Sequence, residues 1–181
     1  MLTYTEAREK AVSHIEAMKA DLQILDELTV EKPFGWYFMA QTRAFIKSRD
    51  WREMFIGFGG FIVDRMDGHL LTLLTHASIE EQFRWYELGY RFHVWDLTIT
   101  VVRNMPQAVS TLLEARPTYV VPEVTGHWTW RIPQPFSADQ LWARLQVLPC
   151  KFDGLGLGFQ QFLAVTETNA FSARLEGIYA R

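Results

Sequence analysis

The sequence predicts an α+β fold: an N-terminal helix, a small antiparallel sheet and a closing helix, followed by a second small α+β unit. Three observations carry this expectation. Ala7, Ala11, Ile15, Met18 and Leu22 recur every three or four residues behind a Thr3/Glu6 capping-box pair, the stripe of an amphipathic helix. Trp36, Phe38 and Ala40 alternate with Tyr37, Met39 and Gln41, the period of a strand. Near residues 89–94 a helical period gives way to alternation, and the charge balance shifts there: residues 1–92 hold 11 basic and 14 acidic side chains, whereas 93–181 hold seven of each. The expected division is 1–91 and 92–181. No Pro/Ser-rich linker lies at the junction, so the two parts are expected to pack together.

Each element follows in order. After the first helix, residues 24–30 and 35–42 read as strands, punctuated by Lys32-Pro33-Phe34-Gly35. Phe61-Ile62-Val63 and residues 70–74 flank Asp64-Arg65-Met66-Asp67-Gly68, a hairpin whose Gly68 can take a positive φ. Ser78, with Glu80 and Glu81 behind it, caps a helix carrying Phe83, Tyr86 and Leu88 inward. In the second part Trp95, Leu97, Ile99 and Val101 share one strand face. Pro106 opens a helix that Pro117 limits, residues 119–123 and 127–132 form a hairpin about Thr125-Gly126, and Ser137 caps another helix. A helix over 159–166 and a strand over 173–179 complete a layout resembling a split βαβ, ferredoxin-like unit.

Composition excludes several classes. With 49% hydrophobic and 22% charged residues the chain is neither disordered nor fibrous, and a net charge of −3 gives no footprint for nucleic acid or an anionic membrane. No stretch approaches ~18 apolar residues, and Glu6, Arg8, Glu9 and Lys10 stand where a signal peptide needs an apolar core. The mature chain is expected to begin near Met1. A single cysteine, Cys150, suits a reducing compartment, so the expected location is cytoplasmic.

The chemistry-bearing residues do not assemble into a catalytic or metal motif. His14, His69, His76, His93 and His127 form no H-x3-H or HExxH pair. Cys150 lacks a catalytic signature and reads as a buried thiol. Gly154-Leu155-Gly156-Leu157-Gly158 places Phe159 where a dinucleotide loop needs glycine, and reads as a flexible turn with no strong strand before it. Asp64 and Asp67 read as solvated residues of a hairpin tip. The expectation is a protein that is not an enzyme, with no metal, no cofactor and no small-molecule substrate.

A resemblance gives the first part a family. Glu31-Lys32-Pro33-Phe34-Gly35-Trp36-Tyr37-Phe38, then residues 57–68 (GFGGFIVDRMDG), then Thr75 and Glu80-Glu81 ahead of Tyr86-Glu87, resemble the immunity protein 35 family of bacterial polymorphic-toxin systems, over residues 1 to about 90. The sequence departs at Gly60, where that family often has Pro, and at Phe58, often Asn. The second part resembles no family and reads as an extension. The resemblance implies a cytoplasmic immunity protein, an antitoxin of bacterial competition and type VI secretion settings, that binds and neutralises a cognate toxin or effector by protein–protein inhibition. A chaperone-like or adaptor role for an effector or secretion system is the alternative. Hot spots favour aromatic and Arg side chains on exposed tips, so the candidate toxin-binding residues are Asp64, Met66 and Asp67 at the first hairpin and Trp128, Trp130 and Arg131 at the second. Alternation puts Trp128 and Trp130 on one side, Thr129 and Arg131 on the other, which serves a core equally well.

Overall fold

Thr3 opens the chain's first helix by the reciprocal pairing its sequence advertises: its hydroxyl accepts from the Glu6 amide, and the Glu6 carboxylate accepts the Thr3 N–H at 2.7 Å. The computed structural model describes residues 1–18, 20–125 and 127–178, divided into two compact units, Met1–Gly89 and Tyr90–Arg181.

The first unit runs α1 (Tyr4–Ala17), β1 (Leu22–Ile24), a 3-10 turn at Asp26–Leu28, β2 (Val30–Lys32), β3 (Gly35–Phe38), β4 (Ala40–Thr42) and α2 (Arg43–Ser48). A second 3-10 turn at Trp51–Glu53, β5 (Phe61–Asp64), β6 (Leu70–Thr72) and α3 (Ile79–Glu87) follow. Strands β2-β3-β5-β6 form one antiparallel sheet, and β1-β4 form a separate pair. Trp36, Phe38, Phe61 and Val63 meet Ala7, Ala11 and Ile15 of α1 on one face of the sheet. Tyr37, Ile62 and Leu71 meet Phe83 and Tyr86 of α3 on the other. With both faces covered, every residue of β3 is buried, and alternation there separates two cores instead of core from solvent.

Several boundaries differ from the sequence reading. The helical stripe expected to run through Leu22 stops with α1 at Ala17, and Leu22 opens β1, paired with Thr42; the strand expected over 24–30 breaks at the 3-10 turn, and that over 35–42 breaks at Met39, so its halves join different sheets. Leu88 is 62% exposed because α3 ends at Glu87 and Leu88 is its C-terminal cap. Gly68 takes the expected positive φ of 73°, and Gly60 takes φ 82°, which proline's ring forbids. A Cβ at Gly60 would also lie 2.7 Å from the Phe38 carbonyl oxygen, so this corner needs glycine where the resembled family often has Pro. The Tyr37 hydroxyl donates to the Gly59 carbonyl beside it at 3.1 Å; burial, with Glu80 adding to it, pushes that phenol up to about 12.

The second unit runs β7 (Val94–Val102), α4 (Met105–Ala115), β8 (Thr118–Thr125), β9 (Trp128–Pro135), α5 (Ala138–Leu145), β10 (Cys150–Gly156), α6 (Phe159–Glu167) and β11 (Phe171–Gly177). The sheet order is β10-β7-β11, both flanking strands antiparallel to β7. Strands β10 and β11 therefore run parallel with β7 between them, so β10–α6–β11 is a split βαβ unit. The expected ferredoxin-like sheet is corrected in composition: the β8–β9 hairpin forms its own two-stranded ribbon and adds no strand to it. Glycine obscured β10, whose end reads in sequence as part of a flexible turn over 154–158: Cys150, Lys151 and Phe152, then Leu155 and Gly156, pair with β7 on either side of a bulge. Val101, expected inward, is 46% exposed. Ala173 pairs with Ile99 and Ser172 with Val101, so Thr100 is an extra residue that turns Val101 to the outer side. Tyr179 and Gly126, placed by the sequence reading in the last strand and the second hairpin turn, lie outside the described residues. Overall the molecule is α+β, and among the described residues no helix is long and apolar enough to cross a membrane.

Candidate functional site

The first hairpin tip is half structural. Asp64 ends β5 opposite Gly35 and is 2% exposed, which corrects the expectation of a solvated tip carboxylate. Its Oδ2 accepts a 2.6 Å hydrogen bond from the Tyr86 hydroxyl and its Oδ1 a 2.6 Å bond from the Met66 amide. The side chain has folded back under the turn, so it holds the tip in shape and presents nothing to a partner. Met66 is 63% exposed and Asp67 is exposed, its Oδ1 accepting from the His69 amide at 2.8 Å.

The β8–β9 ribbon carries the other candidates outward. Trp128 and Trp130 are 73% and 58% exposed, and among the described residues neither ring stacks on another. Cross-strand pairs Thr125↔Trp128 and Glu123↔Trp130 put both indoles on one face with Val121. Arg131, exposed, lies on the opposite face with Val120, Pro122 and Val124. The base is anchored: Tyr119 packs on Phe136 at 4.8 Å, Phe136 on Phe152 at 5.7 Å, and the Arg144 guanidinium lies over both Phe rings. Pro122, Pro133 and Pro135 all fall in pairs of one parity, with Arg131, Val120 and Thr118. Proline cannot donate to a ladder, so this parity is the one whose N–H groups point outward. The ribbon keeps its internal bonds and has both outer edges interrupted, which disfavours the addition of a further strand there.

A third exposed cluster escaped the sequence reading. Between α2 and β5, Trp51 is 67% exposed, Ile56 71% and Met54 39%, and the Arg52 guanidinium lies 5.8 Å over the Trp51 ring. Buried Gln41 clamps this loop, its Oε1 accepting from the Phe55 amide at 2.8 Å and its Nε2 donating to the Phe55 carbonyl at 3.2 Å. The Thr42 hydroxyl donates to the Glu53 carbonyl and Asp50 caps the Arg52 amide at 3.0 Å. The signal in sequence was Trp51-Arg52 followed by Met54 and Ile56, hidden because the helix before it is only six residues long.

No acid–base or nucleophilic pair accompanies these surfaces. His14 packs edge-on to Phe61 at 4.9 Å, and among the described residues its buried Nε2 has no hydrogen-bond partner; burial lowers its pKa. It borders an open groove of about 660 Å³ with Leu2, Lys10 and Leu70. Cys150 is buried, and desolvation raises its thiol against the opposing pull of Arg144. Among the described residues no three His, Cys, Asp or Glu side chains gather to hold a metal ion. What the exposed clusters can do is bind a protein through aromatic and cationic side chains.

Residues 5–87 match the sequence model of the family described as immunity protein 35. The chain is also 32% identical over 88 residues to the protein of Escherichia coli (strain K12) named "Uncharacterized protein YrhB", an overlap of 49% of this chain and 92% of that one. No solved structure matches. The matched segment spans the strands of the first unit, the Ser78 cap of α3 and the clamped loop, and the chain belongs to the immunity protein 35 family.

Proposed function

We propose that this chain is a cytoplasmic immunity protein that binds a cognate bacterial toxin or effector domain and blocks it by occupying its surface, without catalysis of its own. Residues 1–91 act as the family domain and 92–181 as an extension that adds contact area. The observation that carries the reading is membership of the immunity protein 35 family. The geometry supports it, because large apolar side chains stand exposed on anchored elements: Trp128 and Trp130 on the ribbon, Met66 at the hairpin tip. Stable inhibition buries ~1,200–2,000 Å² around a few aromatic or Arg anchors, and these positions supply them. Arg131 and Asp67 contribute polar contacts at the rim, where charge steers association.

The test begins with the gene immediately upstream: where it encodes a large secreted protein with a C-terminal toxin domain, that domain is co-expressed with this chain. Cells are expected to survive only when this chain is present, and a complex is expected to co-purify. Death in its presence, with no complex recovered, would sink the reading.

A further inference from the structure

Charge is unevenly spread over the first unit. Residues 43–53 carry four basic side chains against two acidic, while the remaining residues of 1–89 carry six basic against twelve acidic. Arg43 pairs with Asp21 at 3.1 Å, whereas Lys47, Arg49 and Arg52 form no ion pair with any described residue. The acidic residues of the segment are engaged locally, Glu53 by the Ser48 hydroxyl and Asp50 in capping the Arg52 amide. This cationic segment also presents Trp51 and Ile56 to solvent.

Order and exposure coincide here. An exposed Trp on a mobile loop loses conformational freedom when it binds, which weakens the contact. The Trp51 loop is instead held after Trp51 by the Gln41 clamp on Phe55 and the Thr42 bond to Glu53, and before it by Ser48, whose hydroxyl accepts from the Asp50 amide at 3.0 Å and donates to the Glu53 carboxylate; Phe55 packs on Phe58 at 5.5 Å. A rigid aromatic beside unpaired guanidinium and ammonium groups is the composition of a binding hot spot.

We infer that the 47–56 loop is a toxin-docking surface, with Trp51 and Ile56 inserting into an apolar depression and Lys47, Arg49 and Arg52 meeting an acidic rim on the toxin domain. This rests on the toxin-neutralising reading and names the surface and the charge of its partner. A protein fits better than a nucleic acid, since Met54 and Ile56 offer no stacking ring and two carboxylates sit within the segment.

The probe is the toxin domain against which this chain protects in the co-expression test, purified in a catalytically inactive form. Trp51→Ala combined with Ile56→Ala is expected to weaken its binding by about 30-fold or more, the scale of a hot spot, with the melting temperature unchanged because both side chains are exposed. Lys47→Glu with Arg52→Glu is expected to slow association chiefly, and added salt to slow the wild type towards that rate. Wild-type affinity in both variants, while the wild-type chain still protects cells, overturns the docking surface and leaves the immunity reading standing. A wild-type chain that neither binds nor protects removes both. Two further outcomes overturn the surface assignment: wild-type binding of a labelled single-stranded oligonucleotide that the Trp51/Ile56 variant loses, and a change of oligomeric state in that variant alone.

Discussion

The Tyr86 hydroxyl donates a 2.6 Å hydrogen bond to Asp64 Oδ2, joining the closing helix of the first unit to the end of its central strand across 22 positions of sequence. Both side chains are buried, so the bond forms away from water, where leaving one partner unsatisfied costs most.

Tyr86→Phe is expected to destabilise the protein by about 1–3 kcal/mol in urea unfolding, since it leaves the carboxylate without that donor. Asp64→Ala is expected to cost at least as much, because the Met66 amide loses its acceptor too. A double-mutant cycle with non-additive losses confirms the coupling. Losses that simply add would show that the two groups act separately.

Trp36→Ala is expected to cost roughly 3–5 kcal/mol, as a large-to-small change in a sheet core under α1. Trp128→Ala is expected to stay within about 0.5 kcal/mol of the wild type, because it is exposed. Thermal unfolding of the two variants distinguishes a structural Trp from a presented one.

The contrast shows what was legible in sequence. Thr3/Glu6, Ser78/Glu81 and the Trp36/Phe38 alternation are local patterns, and each element they announce is present. Asp64 was misjudged because its partner lies on another element, and nothing adjacent signals it. The Gly-rich β10 was missed because glycine carries no strand preference, while its pairing with β7 is decided by tertiary contact. The Trp51 cluster was missed because the clamp that holds its loop joins Gln41 to Phe55, fourteen residues apart in sequence. Local chemistry is readable from the chain, whereas burial of a polar group is a property of two segments at once.

Acidification is expected to weaken the fold through His14. Burial holds its folded pKa below the usual histidine value, so the unfolded chain takes up the proton first as pH falls through about 6.5. Stability is therefore undiminished by this group above that pH and declines below it, until the folded state protonates as well. The hydrogen-bonded carboxylates Glu6, Asp26, Glu81 and Asp96 have lowered pKa values, so their contribution is lost only at more acidic pH. His14→Leu is expected to flatten the decline in melting temperature between pH 7 and pH 5.5, and an identical decline in wild type and variant would assign it elsewhere.

Restoring donors to the ribbon is expected to make it adhesive. Pro122→Thr, Pro133→Thr and Pro135→Thr together return outward N–H groups to both edges, and self-association rising with concentration should appear in light scattering. A variant that stays as dispersed as the wild type would show that the prolines do not guard those edges.

Because, among the described residues, β8 and β9 pair only with each other, their length is uncoupled from the register that β7, β10 and β11 must keep. Adding or deleting a cross-strand pair at the tip moves Trp128 and Trp130 in space without shifting one hydrogen bond of the three-stranded sheet. On the proposed toxin-binding reading, the reach of this arm can be retuned by insertion or deletion, a kind of change that would dismantle the sheet itself.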